Sequence, residues 1–122
     1  MHLVVDARAD REILADLDKV YALLDKLPSR IGMSKITPPR VFRHYGTKPA
    51  DWGISGFVLI AESHIAVHTF PDRGLVNIDV FSCKPFDARD VVDRLVTFFG
   101  LRGVKDLVLE RGLEVEIGEG KG

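Results

Sequence analysis

The sequence has a single cysteine, almost no net charge and no hydrophobic run long enough to cross a membrane. One cysteine excludes an internal disulfide framework and leaves no cysteine pair for a zinc site. The 17 Lys and Arg residues nearly balance the 18 Asp and Glu residues, so the net charge of −1 gives no electrostatic reason to bind nucleic acid or an anionic membrane. No secretory signal segment is recognisable, and we expect a cytoplasmic protein.

The remaining composition is that of one ordinary globular domain. Of the 122 residues, 46% are hydrophobic and 29% are charged, which is enough for one modest core spanning residues 1–122. The lone cysteine, Cys83, needs a reactive environment before it can be assigned a chemical role, because most isolated cysteines are inert core residues. Its neighbours therefore decide how it is interpreted.

Hydrophobic spacing predicts two amphipathic helices. The first begins at Asp10, a candidate cap, and should end before Pro28; the second opens at Asp87 and ends at Gly100. The segments that are typical of strands are "MHLVVDA", "SKITPPRVFRHY", "ISGFVLIA", "HIAVHTF", "LVNIDVFSC" and "VKDLVLERG".

The element order β-α-β-β-β-β-α-β predicts an α+β fold, in which an antiparallel sheet carries two helices on one face. The strands between Ile54 and Cys83 are too apolar to leave their second face in water. We therefore expect two copies to pair through that face as a homodimer, forming an αββα sandwich.

The hairpin around "PDRG" brings polar residues together. With Phe70 and Leu75 flanking the turn, His68 lies opposite Asn77, and Ser63 lies opposite Ser82, next to Cys83. A slip of one residue would instead put Ser63 opposite Cys83.

By alternation, the side chains at positions 64, 66, 68 and 70 share one face of the strand. A hydroxyl, a thiol and one or two imidazoles could therefore converge here.

Three readings of this cluster compete. The groups could simply be satisfied polar side chains near a strand end. A serine hydrolase is disfavoured, because no Gly-x-Ser-x-Gly elbow surrounds Ser63. A metal site built from Glu62, His64 and His68 is also disfavoured, because histidines at i and i+4 on a strand are roughly 13 Å apart. We predict no metal.

The run "SGFVLIAESHIAVHTFPDRGLVNIDVFSC" resembles the core of the small prokaryotic S-adenosylmethionine decarboxylases. The shared features are a Glu-Ser-His run, then His-Thr, then Cys at this spacing. His2-Leu3 near the start and Glu110-Arg111-Gly112 near the end extend the likeness. The segment from Leu27 to Trp52 matches poorly.

The resemblance implies a proenzyme that cuts its own backbone between Glu62 and Ser63, giving a β chain of residues 1–62 and an α chain of residues 63–122. Ser63 would become a covalent pyruvoyl group, which forms a Schiff base with the substrate and accepts electrons when CO2 leaves. By matching position, Ser55 would assist the ester step of cleavage, and His68 would remove the Ser63 α-proton. Cys83 would reprotonate the product.

The substrate-recognition residues depart from the family pattern. The family's Trp-Pro-Glu is here Phe70-Pro71-Asp72, so the resemblance implies that Phe70 stacks on adenine and that Asp72 contacts the substrate through a shorter arm. An aromatic that the family places in the preceding loop has three candidates here, Phe42, Tyr45 and Trp52.

These differences leave three functions open. The leading interpretation is an S-adenosylmethionine decarboxylase that supplies aminopropyl groups for spermidine and other polyamines. The first alternative keeps the pyruvoyl chemistry but acts on arginine or ornithine. The second is a non-catalytic paralogue that only dimerises with an active partner, which intact Ser63, His68 and Cys83 argue against.

Overall fold

The computed structural model describes residues 1–111 as a seven-stranded sheet with three helices. Residues 112–122, including the Gly112 of the family motif and the end of the expected second chain, lie outside the described part. The elements are β1 His2–Arg8, α1 Arg11–Leu14, α2 Leu17–Arg30, β2 Ser34–Lys35, β3 Arg40–His44, β4 Gly53–Ala61, β5 Ser63–Phe70, β6 Leu75–Ser82, α3 Ala88–Phe99 and β7 Arg102–Leu109.

The strand order is β2-β4-β5-β6-β1-β7, and β3 pairs with β4 beside β2. Every strand pair is antiparallel. The predicted α+β fold with an antiparallel sheet is therefore confirmed. β1 lies between β6 and β7, so the connection from β6 to β7 passes over β1.

One face of the sheet is buried and the other is open. On β5, Ile65, Val67 and Thr69 are buried under the helices, whereas the alternate residues are half-buried or exposed. The largest fully buried side chains form one core between the helices and the sheet: Phe99, Leu3, Leu14, Leu24, Ile54, Ile60, Ile65, Ile78 and Leu95. We call the other side, which carries His64, Ala66, His68 and Phe70 of β5, the open face.

The first predicted helix is two helices, which corrects the sequence-based prediction. Asp16, not Asp10, provides the side-chain cap of the longer one, accepting a hydrogen bond from the Lys19 amide at 3.1 Å. Asp10 makes no capping bond and instead pairs with Arg102. The periodicity missed this break because apolar residues continue in phase across it.

Pro28 does not end α2, which continues to Arg30. A proline in the last turn removes only one backbone hydrogen bond, and Pro28 is buried, so packing compensates for the loss. The predictions for α3 are confirmed: Asp87 caps it, and Gly100 ends it in the left-handed conformation.

The segment predicted as one extended strand before the loop splits into β2 and β3. Pro38 and Pro39 lie between them, and a proline cannot donate a hydrogen bond to the sheet. Both short strands pair with β4. In residues 1–111, no helix is long and apolar enough to span a bilayer.

Candidate active site

The junction between β4 and β5 is a tight turn around Glu62. The backbone amide of Cys83 donates a hydrogen bond to the Glu62 carbonyl oxygen at 3.3 Å. Ser63, the next residue, has φ of 153°, a conformation that residues other than glycine rarely adopt and that costs about 1–3 kcal/mol. The carbonyl before Ser63 is therefore polarised by a donor, and the backbone after it is strained.

The hairpin register that was derived from the sequence is correct. Ser63 pairs with Ser82, and His68 pairs with Asn77. The alternative register, with Ser63 opposite Cys83, is wrong. Ser82 is fully buried, and its hydroxyl oxygen accepts a hydrogen bond from the Lys84 amide at 3.0 Å, whereas Cys83 is exposed beside it.

Ser55 and His68 form a second polar pair on the open face. They lie directly opposite each other on β4 and β5, and Ser55 Oγ shares a hydrogen bond with His68 Nδ1 at 2.9 Å. The hydroxyl and the imidazole are thus held together by the sheet itself. Such a pair can pass a proton between its members and a third group.

This pair does not reach Ser63 within one chain. His68 lies five residues beyond Ser63 on the same strand, a distance of about 16 Å at 3.3 Å per residue. From the sequence we expected a hydroxyl, a thiol and an imidazole to converge at one place. Within one protomer they instead form two separate pairs. Ser63 and Cys83 are neighbours, and Ser55 and His68 are neighbours at the opposite end of β5.

A cluster around Phe81, next to Ser63, was missed by sequence reasoning. The Arg111 guanidinium lies 4.1 Å from the centre of the Phe81 ring, and the rings of His64 and His2 lie within 6 Å of it. His2 also donates from Nε2 to Asp79 at 3.0 Å. These residues meet because β1 pairs with β6, a contact between distant parts of the chain that local patterns do not reveal.

Phe70 and Asp72 lie at the Ser55–His68 end of the sheet. Phe70 is on the open face, two residues after His68. The Asp72 carboxylate accepts hydrogen bonds from Arg11 Nε at 2.8 Å and from Trp52 Nε1 at 2.9 Å. These bonds, the one from Arg11 above all, lower the pKa of Asp72 below its ordinary value. Its negative charge is already compensated by protein groups, which the sequence did not predict.

The three candidate loop aromatics have different surroundings. Phe42 lies directly opposite Ser55, in the row that continues to His68 on the open face, and is 49% exposed. Tyr45 is largely exposed, and the Trp52 indole is bonded to Asp72. Of the three, Phe42 shares the face of the Ser55–His68 pair.

The open face is unusually apolar for a surface. Its side chains include the exposed residues Phe42, Phe57, Leu59, Leu107 and Leu109. Several of its polar side chains partner one another, as in the bond from Asn77 to Asp6 at 2.8 Å. Among residues 1–111, no three His, Cys, Asp or Glu side chains are grouped so that they could hold a metal ion.

Comparisons with known proteins point to one family. A family model described as S-adenosylmethionine decarboxylase matches residues 1–112. The S-adenosylmethionine decarboxylase proenzyme of Pyrococcus furiosus is 33% identical over 117 residues, covering 94% of this chain and 80% of that protein. The corresponding proenzyme of Acidithiobacillus ferrooxidans is 32% identical over 104 residues, covering 84% and 74%. The crystal structure of the adenosylmethionine decarboxylase from Aquifex aeolicus is similar with a TM-score of 0.73 and 27% identity, over 91% of this chain and 88% of that one.

Proposed function

Since the chain belongs to the S-adenosylmethionine decarboxylase family, we propose that it is a self-processing decarboxylase of S-adenosylmethionine, providing the decarboxylated product for polyamine synthesis. The observation that carries this proposal is the geometry at Glu62–Ser63. A serine in a strained conformation follows a carbonyl that already accepts a hydrogen bond from a backbone amide.

Cleavage begins when the Ser63 hydroxyl attacks the Glu62 carbonyl carbon. The C–O bond of an ester forms, the C–N bond of the peptide breaks, and the Ser63 nitrogen gains a proton. The negative charge that develops on the Glu62 oxygen is stabilised by the Cys83 amide, which acts as an oxyanion donor. Relief of the strain at Ser63 favours the same step.

The second step needs a base for the Ser63 α-proton. Its removal expels Glu62 as a carboxylate, and hydrolysis of the remaining residue releases ammonia and leaves the pyruvoyl group. Ser63 fits this group, because the cut makes residue 63 the first residue of the new chain, next to the exposed Cys83. When formed, the group supplies an electron sink for the carbanion left by CO2, and Cys83 donates the proton that completes the product.

The base comes from a second copy of the chain. The Ser55–His68 pair and Ser63 lie at opposite ends of the same strand, about 16 Å apart. If a second copy packs on the open face with its strands running in the opposite direction, its Ser55–His68 pair would lie above the Ser63 of the first copy. Two-fold symmetry would place the pair of the first copy above the Ser63 of the second in the same way. Sheets pack about 10 Å apart, a gap that facing side chains fill. The exposed apolar side chains of the open face favour this pairing.

The substrate would be bound between the two copies. Phe42 and Phe70 flank the Ser55–His68 pair on the open face, and either ring offers a stacking surface for adenine. Asp72 is bound to Arg11 and Trp52, so it offers no free negative charge to the side chain of arginine or ornithine. No observation favours those substrates or a non-catalytic role.

The proposal is tested by mixing two inactive chains. Ser63→Ala lacks the hydroxyl that attacks the Glu62 carbonyl, and His68→Ala lacks the base. When they are co-expressed with tags of different mass, the Ser63→Ala chain can provide its Ser55–His68 pair to the Ser63 of its partner. We expect the His68→Ala chain to be cut, and the Ser63→Ala chain to stay whole, in mixed dimers only.

Each control isolates one part of the proposal. Each variant alone should stay uncut, and the wild-type chain should split into residues 1–62 and 63–122 by intact mass. Absence of cutting in purified mixed dimers, with normal cutting of the wild type, would overturn the exchange of the base between copies. Purified wild type should release CO2 from carboxyl-labelled S-adenosylmethionine. Release from arginine or ornithine alone would overturn the choice of substrate.

A further inference from the structure

Thr69 is the one fully buried polar side chain on β5, and its hydroxyl joins three elements. Thr69 Oγ1 accepts a hydrogen bond from the Ile54 amide of β4 at 3.1 Å and donates one to the Leu14 carbonyl, the last of α1, at 2.8 Å. Its side chain is 0% exposed. Both hydrogen-bonding directions of the hydroxyl are therefore used, and neither bond involves a group of the reaction.

These two bonds lie next to the Ser55–His68 pair along both strands. Thr69 follows His68 on β5, and Ile54 precedes Ser55 on β4. The register of β4 and β5 runs from Ile60–Ser63 to Ser55–His68 and ends there. At the next position the Ile54 amide donates its hydrogen bond to the Thr69 hydroxyl rather than to a backbone carbonyl.

The strands also approach each other unusually closely at this point. A Cβ atom placed on Gly53 would lie 1.8 Å from the Thr69 carbonyl oxygen, so only glycine allows this spacing. Ser55 and His68, the last pair of the ladder, are thus held on one side by regular backbone hydrogen bonds and on the other by the buried Thr69 hydroxyl. The distance between Ser55 and His68 depends on both.

We propose that Thr69 is a positioning residue for the Ser55–His68 pair, an inference that rests on the proposed function for its catalytic meaning. By fixing β4 at Ile54 and α1 at Leu14, the hydroxyl sets the separation at which Ser55 Oγ and His68 Nδ1 share their 2.9 Å bond. Without it, the Ile54 amide and the Leu14 carbonyl lose their partners and the ends of β4 and β5 move apart. A misplacement of about 1 Å in such a pair can slow a reaction by about 100-fold.

A purely structural role predicts something different. In that case, loss of the hydroxyl would lower the stability of the whole domain and leave the geometry of the pair unchanged in the folded protein. Val67→Ala is the matched control, because it removes buried atoms from the same face of the same strand without removing a hydrogen bond. Thr69→Ser is the rescue variant, because it keeps the hydroxyl.

The experiment reads the pair directly in chains that cannot be cut. In a Ser63→Ala background, the ¹⁵N resonance of His68 Nδ1, assigned by its loss in His68→Gln, reports the bond to Ser55. Ser55→Ala marks its position when the bond is absent. We expect Thr69→Val to move the resonance most of the way to the Ser55→Ala position. Thr69→Ser and Val67→Ala should leave it at the position seen with Thr69 intact.

Cleavage provides a second readout. With Ser63 present, Thr69→Val should be cut at least tenfold more slowly than wild type, and Thr69→Ser within about twofold of it. Thr69→Ala replaces Thr69→Val if the latter does not fold. A His68 resonance that stays in place in the folded variant, with a loss of stability equal to that of Val67→Ala, would overturn the proposal. If the wild type itself is never cut, the proposed function fails, while the resonance still decides the role of Thr69.

Discussion

Gly53→Ala is the substitution for which the structure predicts the largest effect from the smallest change. The added methyl carbon would lie 1.8 Å from the Thr69 carbonyl oxygen and 2.9 Å from its carbonyl carbon. Both are backbone atoms of β5, so no side-chain rotation relieves the clash. The contact has to open to at least 3.0 Å, and β4 has to move away from β5 at that point.

The size of the effect follows from where this movement occurs. Gly53 lies two residues before Ser55, so a displacement of about 1 Å reaches the Ser55–His68 pair and lengthens its 2.9 Å bond beyond hydrogen-bonding distance. We expect cleavage to slow by about 100-fold. The free energy of unfolding should fall by about 1–3 kcal/mol, as is usual for overpacking in a well-packed site.

The assay is a time course of cleavage by intact mass on purified, folded protein, together with thermal unfolding. Gly100→Ala is the control, because Gly100 is left-handed and no atom lies within 4 Å of a carbon added to it. It should lose about 1–2 kcal/mol of stability from backbone strain and be cut at the wild-type rate. If Gly53→Ala is also cut at the wild-type rate, the idea that the spacing of β4 and β5 governs the pair is incorrect.

Three further predictions concern the site. Cys83→Ala should be cut normally but should release product at least tenfold more slowly, because the proton donor is missing; wild-type turnover of S-adenosylmethionine would contradict this. Phe70→Ala should raise the KM for S-adenosylmethionine by about tenfold while Phe70→Trp preserves it, and equal KM values would mean that the ring does not stack on the substrate. The pKa of Asp72 is lowered, so its bond to Arg11 should persist as the pH falls to its ordinary value of 3.8 and be lost only below it. The difference in Tm between wild type and Asp72→Asn should therefore persist from pH 7 to about pH 4 and shrink at lower pH; a difference that stays constant as the pH falls through 3.8 would show that the pKa is not lowered.

The hairpin was predictable because its information is local. A turn sequence with Pro, Asp and Gly fixes the closing pair, and alternation then fixes every pair up to Ser63 and Ser82. The helical segments were also recognisable from their spacing. Their ends were less so, because the break between Leu14 and Leu17 depends on Asp16 and on the hydroxyl of Thr69 from a distant strand.

Within the candidate site, contacts that follow from the hairpin register were predictable and those between distant segments were not. The sequence placed Ser63 beside Cys83 correctly, since both follow from one register. It did not reveal that Asp72 is bound to Arg11 and Trp52, because those bonds join segments far apart in the chain. Contacts of this kind depend on the complete fold, and no periodicity in the sequence encodes them.

The strand order has a consequence for what cleavage does to the folding of the protein. Residues 1–62 contain β1, β2, β3 and β4, whereas β5, β6 and β7 would belong to the second chain of the proposed cleavage. Across the sheet the two chains alternate, so that β4 pairs with β5, β6 with β1, and β1 with β7. After the proposed cut, these three ladders would join separate molecules, and each fragment would keep only part of the sheet: β2, β3 and β4 in one, β5 and β6 in the other.

If the chain is cut as proposed, unfolding becomes harder to reverse. The uncut chain folds in a unimolecular reaction, whereas the cut protein, once denatured, has to reassemble from two fragments at a rate that depends on their concentration. Each fragment alone exposes unpaired strand edges, which favour aggregation over reassembly. The mature protein should consequently fail to recover from unfolding, so that its lifetime is set by its first unfolding event.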